Sequence, residues 1–502
     1  MQARKPQIVE VLLNLPWNVN RKDSADKTAI FHAAKNKDLP TLKLLLAAGA
    51  DPNIASAVEM SLSSPGWHEP TPRVKPDVLR FNALHAWAGL DSGPFYDTSD
   101  INKKDLQECL DLLVAGGCNV NSKIGNGKTA LFAWTLYSSH RKDDRLLAEA
   151  FVSALLAYGA DATVLDNNGT SVLHQMLGYE TERNAAELLI AAGANINQQS
   201  ISDMRTPLMN AAKRQLMDPS LFRDLGADFN LQDQCGNTAF HMAASSWCME
   251  EKHADLWLQS ADPKILNNAG QMAVVSFDWG NGGEGRVKAI SKMVDFGIDL
   301  ESRDHRGRTI LLQFICKENT DKIDCFVKEL LRLGADASAT DYDGFSALHL
   351  LMSCRLSNID HDKKDVAVMY DLMKVLVDSG CSINSRNHRG QSMLQILLMG
   401  KDEWPKVHIR AVHQLGCDVH GVDLAGRTLL HTVSMNPDNA SSRRNDGSPS
   451  SKIDYVLDME HKFDVNAKDN HGNTPLMLAA QVSEINVLKL LQAGADLGIV
   501  CK

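Results

Sequence analysis

Several features that would assign this sequence to a class at once are missing from it. No apolar run approaches the ~20 residues that a membrane-spanning helix needs. None of the 10 cysteines belongs to a Cys-x-x-Cys pair, and basic residues are in deficit, with 52 Lys and Arg against 62 Asp and Glu. We therefore expect no membrane span, no zinc ribbon and, at a net charge of −10, no broad binding of nucleic acid. The scattered cysteines and the short, charged N-terminus favour a cytoplasmic or nuclear compartment.

Catalytic motifs are also lacking. The sequence has neither the His-Glu-x-x-His of metalloproteases nor the Gly-x-Ser-x-Gly of a nucleophile elbow. The stretch 125–129, Gly-Asn-Gly-Lys-Thr, ends like a phosphate-binding loop, but Ser122 stands where that loop requires its first glycine. The stretch Gly280–Gly285 matches Gly-x-Gly-x-x-Gly after an apolar run, so an enzyme that uses a nucleotide through this loop stays a remote alternative. We predict no catalytic, cofactor-binding or metal-binding residue and do not expect an enzyme.

What the sequence does contain is one pattern that recurs along nearly all of it. Residues 341–349, Asp-Tyr-Asp-Gly-Phe-Ser-Ala-Leu-His, show the first half, a turn followed by a short apolar run. Residues 330–336, Leu-Leu-Arg-Leu-Gly-Ala-Asp, show the second half. The position of the serine in the first half recurs twelve times, at Thr28, Asn82, Thr129, Ser171, Thr206, Thr238, Met272, Thr309, Ser346, Ser392, Thr428 and Thr474. Steps of 35, 32 and 34 residues separate the fourth to seventh of these positions.

The pattern resembles the ankyrin repeat. That repeat has the motif Asp-x-x-Gly-x-Thr-Pro-Leu-His, a Leu-Leu-x-x-Gly-Ala-Asp ending and a period of about 33 residues. The resemblance implies an all-α fold, an ankyrin-repeat solenoid of stacked helix-turn-helix units with β-turn or hairpin tips. Gly127 is then the turn glycine of the third repeat. Residues 280–285 become a loop between the two helices of the seventh repeat.

Elementary chemistry explains the residues that recur. The Thr at each helix start can accept a hydrogen bond from an unpaired backbone N–H group, and Pro207 or Pro475 just after it suits the first helical turn. A glycine closes most second helices, in the left-handed conformation that other residues avoid. These glycines are Gly49, Gly117, Gly159, Gly193, Gly226, Gly297, Gly334, Gly380, Gly416 and Gly494. Repeats six and eleven lack it, at residues 259–262 and 461–464, so we expect less regular helix ends there.

The repeat register divides the chain. Residues 1–20 are interpreted as a partial N-terminal repeat with only its second helix, and residues 21–498 as the solenoid. Insertions interrupt the repeats near 55–80, 89–104, 276–287, 354–366 and 435–452. The last insertion is polar and has no apolar period. Its Ser448-Pro449, beside two arginines, is either a kinase site or part of a solvated loop.

Histidine and cysteine recur with the repeats, which favours structural roles. Five histidines end the first-helix motif a repeat apart, whereas metal ligands converge on one point. We expect each to hydrogen-bond the neighbouring turn, at His85, His174, His241, His349 and His431. Three cysteines stand where the repeat has Ala after the closing glycine, and we expect them to be small buried side chains. They are Cys118, Cys381 and Cys417.

The turn tips of repeats eight, nine and ten are the candidate binding site. In ankyrin-repeat proteins the tips and the inner faces of the first helices bind other proteins. These three tips combine basic residues with two aromatics, and Arg and Tyr are enriched at interface hot spots. The candidate residues are Arg303, His305, Arg306, Arg308, Tyr342, Phe345, Arg386, His388, Arg389 and Gln391. The alternative is a set of ordinary solvated tip residues that Asp304, Asp341 and Asp343 neutralise locally.

The resemblance implies a protein-binding function. The first hypothesis is a non-catalytic scaffold or adaptor that binds partner proteins on the concave ankyrin surface. The second is a regulatory or targeting segment of a larger multidomain protein, similar to an NTPase-type receptor. The chain starts within a repeat, ends directly after one and has no polar outer cap on its last repeat, which favours the second hypothesis or a partner over that end. End-to-end contact through the uncapped terminal repeats is a further hypothesis.

Overall fold

The structure is a computed structural model that describes most of the chain. The described residues are 6–59, 78–90, 103–137, 145–176, 178–213, 219–245, 251–276, 283–317, 323–354, 363–400, 412, 414–436, 452–457, 459 and 463–499. They are mainly helical, as the repeat pattern predicts, and fall into two compact units, Met1–Asn268 and Ala269–Lys502. No helix among them is both long and apolar enough to cross a membrane.

The first unit stacks helices of the same kind. Its described helices are α1 (Pro6–Leu13), α2 (Ala29–Lys35), α3 (Leu39–Ala47), α4 (Ala83–Trp87), α5 (Lys103–Ala115), α6 (Arg145–Ala157), α7 (Arg183–Ala191), α8 (Pro207–Ala212), α9 (Pro219–Asp224), α10 (Ala239–Ser245) and α11 (Glu251–Ser260). The first helix α2 packs on the next first helix, α4, whereas the second helix α3 packs on α1 and α5. Neighbouring repeats thereby build a core that no single repeat can supply.

The second unit follows the same plan. Its described helices are α12 (Gly283–Asp295), α13 (Ile310–Ile315), α14 (Ile323–Arg332), α15 (Ala347–Cys354), α16 (Lys363–Asp378), α17 (Met393–Met399), α18 (Leu429–Ser434), α19 (Lys452–Leu457), α20 (Pro475–Ala479) and α21 (Glu484–Gln492). First helices α13, α15, α17, α18 and α20 form one row, and α14 packs on both α12 and α16 in the other. The predicted all-α repeat fold is confirmed.

A β-hairpin replaces the usual turn in the second repeat. Strands β1 (Ser56–Glu59) and β2 (Val78–Phe81) pair antiparallel, with Ser56 opposite Phe81. Asn82 follows directly and caps α4 through its side-chain oxygen, 3.1 Å from the His85 backbone nitrogen. The two ends of the 55–80 insertion are thus joined to each other. Residues 60–77 and most of the other four insertions, including Ser448, lie outside the described residues, so the domain boundaries stay a prediction.

All twelve predicted helix starts are confirmed, because each lies directly before a first helix. In three repeats that helix is a 3-10 helix rather than an α-helix, at Ala130–Tyr137, Val172–Gln175 and Ala273–Ser276. The predicted cap forms at Thr28, whose hydroxyl accepts the Phe31 N–H at 3.3 Å. It does not form at Thr129, whose hydroxyl is buried without a hydrogen-bond partner. There the 3-10 helix ties the Phe132 N–H to the Thr129 carbonyl instead.

The ten predicted closing glycines all have positive φ. Each is followed by a residue whose N–H donates to the carbonyl five positions earlier, as Ala50 does to Leu45 at 2.9 Å. This is the hydrogen bond of a left-handed helix end. In repeat six, which has no closing glycine, the Ala261 N–H donates to Trp257, four positions back, and the predicted irregular end is confirmed. The corresponding end of repeat eleven lies mostly outside the described residues.

An asparagine ladder, which the sequence analysis did not identify, links successive second helices. The side-chain nitrogen of Asn121 donates to the carbonyl of Gly159 at 2.9 Å, and its oxygen accepts the Asp161 N–H at 2.8 Å. Asn20 makes the same two bonds to Gly49 and Asp51. The ladder satisfies the carbonyls of five closing glycines, so these polar residues contribute to stacking. The five are Gly49, Gly117, Gly159, Gly226 and Gly416.

The histidine interpretation is confirmed in four repeats. The Nε2 atom of His85 lies 2.9 Å from the Ser122 carbonyl of the next repeat, and its Nδ1 atom accepts the Asn82 N–H at 3.3 Å. His174, His349 and His431 likewise place Nε2 3.0–3.1 Å from a carbonyl of the next repeat. A carbonyl can only accept, so Nε2 carries a proton, and in all four rings Nδ1 accepts a backbone N–H, as a neutral ring does.

The three cysteines after closing glycines are buried and free, as expected of small core side chains. Burial raises the pKa of Cys118 to about 12 and that of Cys417 to about 11, and it also raises the pKa of Cys381. These thiols therefore stay protonated at neutral pH, which leaves them unreactive as nucleophiles.

The turn of repeat five carries backbone strain that a glycine would remove. Met204 holds, at φ 55°, the turn position that Gly169 and Gly236 hold in neighbouring repeats. A left-handed residue with a Cβ atom costs about 1 kcal/mol or more. We expect Met204→Gly to raise the free energy of unfolding by about 1 kcal/mol, measured by urea denaturation. Met204→Ala keeps the Cβ atom and should gain nothing; an equal gain from both variants would show that strain is not the cause.

Candidate functional site

Each candidate tip is a tight turn held by the side chain that opens it. The Asp304 carboxylate accepts the N–H groups of Arg306 and Arg308, both at 2.9 Å. Asp341 and Asn387 hold the tips of repeats nine and ten through the same pair of bonds. The three tips are therefore fixed by side chains at one equivalent position.

Backbone hydrogen bonds connect each tip to the one before it. The N–H of Tyr342 donates to the Arg306 carbonyl at 3.0 Å, and that of His388 donates to Asp343 at 2.9 Å. In repeat eleven the N–H of Leu424 continues the series by donating to Arg389 at 3.0 Å. Residues of different repeats thus become neighbours along one edge.

The residue after each turn Asp or Asn forms an exposed row, which we call the tip row: His305, Tyr342, His388 and Leu424. Tyr342 is 64% exposed, and its ring covers Gly307 so closely that a Cβ atom there would lie 2.4 Å from it. Leu424 is 71% exposed and lies against Gly390 in the same way. Leu424 is not among the predicted site residues, although its position after Asp423 repeats that of Tyr342 after Asp341.

Two of the predicted arginines join repeats together. The Nη1 atom of Arg303 donates to the carbonyls of Gly307 and Thr340, each at 2.6 Å. Arg386 does the same to Gly390 and Val422, each at 2.8 Å. A neutral residue, Gln232, makes the equivalent pair of bonds in repeat six. Positive charge is therefore not what this position requires.

Three other predicted residues offer little surface. Gln391 is buried, where its amide contacts Asn387 and Met399. Arg308 is largely buried and lies 3.8 Å from the Asp341 carboxylate. Phe345 is half-buried, with its ring edge against His349 at 5.8 Å between centroids.

Two arginines of the predicted set are free. Arg306 and Arg389 are exposed, and neither guanidinium has an ion-pair or hydrogen-bond partner among the described residues. Of the three aspartates expected to neutralise the tips, Asp304 and Asp341 are buried and accept turn N–H groups. Only Asp343 is exposed. The exposed edge therefore presents two free guanidinium groups on either side of an aromatic ring.

The glycine-rich stretch 280–285 is only partly described. The apolar residues before it, Ala273–Ser276, form the 3-10 first helix of repeat seven and not the strand that a dinucleotide site requires. Helix α12 begins at Gly283, and residues 277–282 lie outside the described part of the chain. Among the described residues, no three His, Cys, Asp or Glu side chains lie together so that they could hold a metal ion.

Comparison with known proteins adds independent findings. A family model described as ankyrin repeat matches residues 26–57 and 471–502. The nuclear factor NF-kappa-B p105 subunit of Gallus gallus is 29% identical over 213 residues, 40% of this chain and 20% of that protein. The E3 ubiquitin-protein ligase KEG of Arabidopsis thaliana is 31% identical over 146 residues, 29% of this chain and 8% of that protein. The crystal structure of the ankyrin repeat domain of Bcl-3 has 18% identity and a TM-score of 0.36, over 52% of this chain and 100% of that one. The matches thus span a fifth or less of the two longer relatives.

Proposed function

We propose that this chain, which is an ankyrin-repeat protein, is a non-catalytic scaffold or adaptor that binds partner proteins. Ankyrin repeats generally mediate protein–protein interaction, and the family model matches repeats near both ends of this sequence. We further propose that the tips of repeats eight to ten take part in binding and that the protein acts in the cytoplasm or nucleus. Two relatives are enzymes by name, the ubiquitin-protein ligase KEG and an intracellular phospholipase A2 of Caenorhabditis elegans. The matches cover 8% and 9% of these proteins, so their activities are not extended to this chain.

The observation that carries the proposal is the free edge of the second unit. Arg306, in the tip of repeat eight, and Arg389, in the tip of repeat ten, are exposed without partners among the described residues. Tyr342 is exposed in the tip of repeat nine between them. An exposed guanidinium can form paired hydrogen bonds with a carboxylate, and an aromatic ring supplies contact area at a low entropic cost. A partner surface that carries carboxylates beside an apolar side chain would match this edge.

Reversing the two free charges tests the site. We expect Arg306→Glu combined with Arg389→Glu to reduce partner capture by about tenfold or more, because each substitution places like charges opposite one another. Affinity purification from the native host, quantified by mass spectrometry, measures the capture. Lys374→Glu, on the exposed side of α16, is the matched control and should change capture little. If the double variant captures the same proteins as the wild type, the tips are not the binding site.

A second candidate function is a regulatory or targeting segment of a larger protein. It is favoured by the relatives, since p105 and KEG are far longer than the regions that match this chain. Sequencing full-length transcripts tests it. One reading frame that joins these repeats to a further domain would support it, and stop codons on both sides of the repeats would contradict it.

A further inference from the structure

The first unit has a cavity beside α2, the helix that begins the row of first helices. It has a volume of about 220 Å³. Its walls come from α1, from α2, from the segment between them and, through one residue, from α3. The lining residues are Val9, Leu12, Leu13, Trp17, Asn18, Val19, Arg21, Lys22, Asp23, Lys27, Ala29, His32 and Leu45. Most of this lining is apolar, and Trp17 is itself 58% exposed. Three nearby apolar side chains, Ile8, Val11 and Leu15, are exposed as well.

The packing of the neighbouring repeat indicates what shape fits there. In that repeat the first helix α2 contacts its own second helix, α3, and the next first helix, α4. Helix α1 packs on α3 in the second-helix row, and the cavity lies between α1 and α2. A short helix placed in the cavity would contact both of them, as a first helix does. The volume is below the 300–1,000 Å³ typical of pockets for drug-sized ligands, so it suits one large side chain of a protein better than a free small molecule.

The charges around the cavity indicate which kind of helix would bind there. Three of the lining residues are basic, Arg21, Lys22 and Lys27, and one is acidic. The acidic one, Asp23, already contacts His32 at 2.9 Å. Lys22 is bound by Asp26 at 3.0 Å, which leaves two cations without a carboxylate partner among the described residues.

We infer that this cavity binds a short amphipathic helix of a partner protein, with one large apolar side chain in the cavity and carboxylates facing Arg21 and Lys27. Lys27 Nζ lies 5.5 Å from the centroid of the Phe31 ring but has no carboxylate partner among the described residues. A carboxylate facing Arg21 or Lys27 would therefore neutralise an unpaired positive charge, whereas a lysine there would be repelled. A second copy of this chain is a poorer occupant, because copies that each carry a net charge of −10 repel one another. This surface lies in the first unit and does not depend on the tips of repeats eight to ten.

The test uses a designed probe and the full chain. The probe is a fluorescein-labelled helical peptide of about 18 residues, with Leu and Phe along one face and Glu on both flanks, long enough to form a helix on binding. Its counterpart replaces every Glu with Lys. Fluorescence anisotropy should show that the Glu peptide binds about tenfold or more tightly than the Lys peptide, and that salt weakens the difference.

Substitutions in the protein must move the affinity in a defined direction. Arg21→Glu combined with Lys27→Glu should lower the affinity for the Glu peptide by about tenfold and raise the affinity for the Lys peptide. Trp17→Ala, at an exposed side chain, should lower the affinity for both peptides. Lys43→Glu, at an exposed position of α3, is the control and should change neither affinity. Equal affinity for the two peptides, or affinity unchanged by these substitutions, would overturn the inference. So would sedimentation that shows a dimer from which the peptide is excluded, since a second copy would then occupy the surface.

Discussion

Lowering the pH from 7.5 to 5 is expected to destabilise the first unit by about 2 kcal/mol through His85 alone. Burial lowers the pKa of this histidine to about 4, against an ordinary value of 6.5. The folded protein therefore holds the ring neutral where the unfolded chain would already protonate it. The stabilisation is complete above about pH 6.5 and is lost progressively as the pH falls towards 4.

The geometry explains why protonation is resisted. A proton on Nδ1 of His85 would face the Asn82 N–H, which now donates to that nitrogen at 3.3 Å. Burial also lowers the pKa of His174, His349 and His431, so their effects have the same sign. Carboxylates with lowered pKa values affect stability at a lower pH. The hydrogen bond from His32, for example, lowers the pKa of Asp23 to about 2. A pH of 5 therefore isolates the histidines.

The chain itself supplies the control substitution. In repeat ten Gln395 stands at the histidine position, where its side-chain oxygen accepts the Ser392 N–H at 3.0 Å and its nitrogen donates to Arg427 at 2.9 Å. His85→Gln should keep both kinds of bond without a titrating group. We expect this variant to have a near-native free energy of unfolding at pH 7.5 and to lose less of it at pH 5 than the wild type does. Urea denaturation monitored by circular dichroism measures both values. A loss as large as that of the wild type would show that His85 is not responsible.

Gly236→Ala is expected to cost about 3 kcal/mol or more, whereas Gly226→Ala should cost about 1 kcal/mol. Both glycines have left-handed φ values, 76° and 81°, so both substitutions introduce the same backbone strain. They differ in what the new Cβ atom meets. At Gly236 it would lie 2.6 Å from the backbone nitrogen of Asn268 in the next repeat, and at Gly226 no described atom lies within 4 Å.

The larger cost at Gly236 reflects damage to stacking. The Asn268 N–H donates to the Cys235 carbonyl at 3.0 Å, and a Cβ atom would push this bond apart. Urea midpoints of the two variants, recorded side by side, measure the difference. Equal destabilisation would mean that the tips do not approach as closely as described, and that backbone conformation alone makes these glycines necessary.

Local features of the fold were predictable because each depends on a few neighbouring residues. A capping side chain favours a helix start, and a glycine favours a left-handed helix end. The 3-10 first helices were not predicted, and neither was the pairing of β1 with β2 across the 55–80 insertion. Thr129 and Ser171 precede 3-10 helices although Thr and Ser also precede α-helical first helices, so the choice between helix types depends on packing against adjacent repeats.

The candidate site was harder to predict. In sequence, Arg303 and Arg306 are equivalent basic residues of one turn, yet Arg303 is bound to two carbonyls and Arg306 is free. Gln391 looked exposed by its place beside the turn, but its amide is enclosed by Asn387 and Met399. Aligning the repeats by position would have identified Leu424, because residues after the turn Asp share one environment.

The sequence by itself determined the repeat register, the helix starts and the closing glycines, since these follow from short-range backbone chemistry. Only the tertiary structure decided which tip residues stay available to a partner. A guanidinium becomes unavailable when carbonyls of its own turn and of the next repeat, 37 residues away for Arg303, lie within hydrogen-bond distance. Stacking of one repeat on the next creates that proximity, and the composition of a single turn does not reveal it.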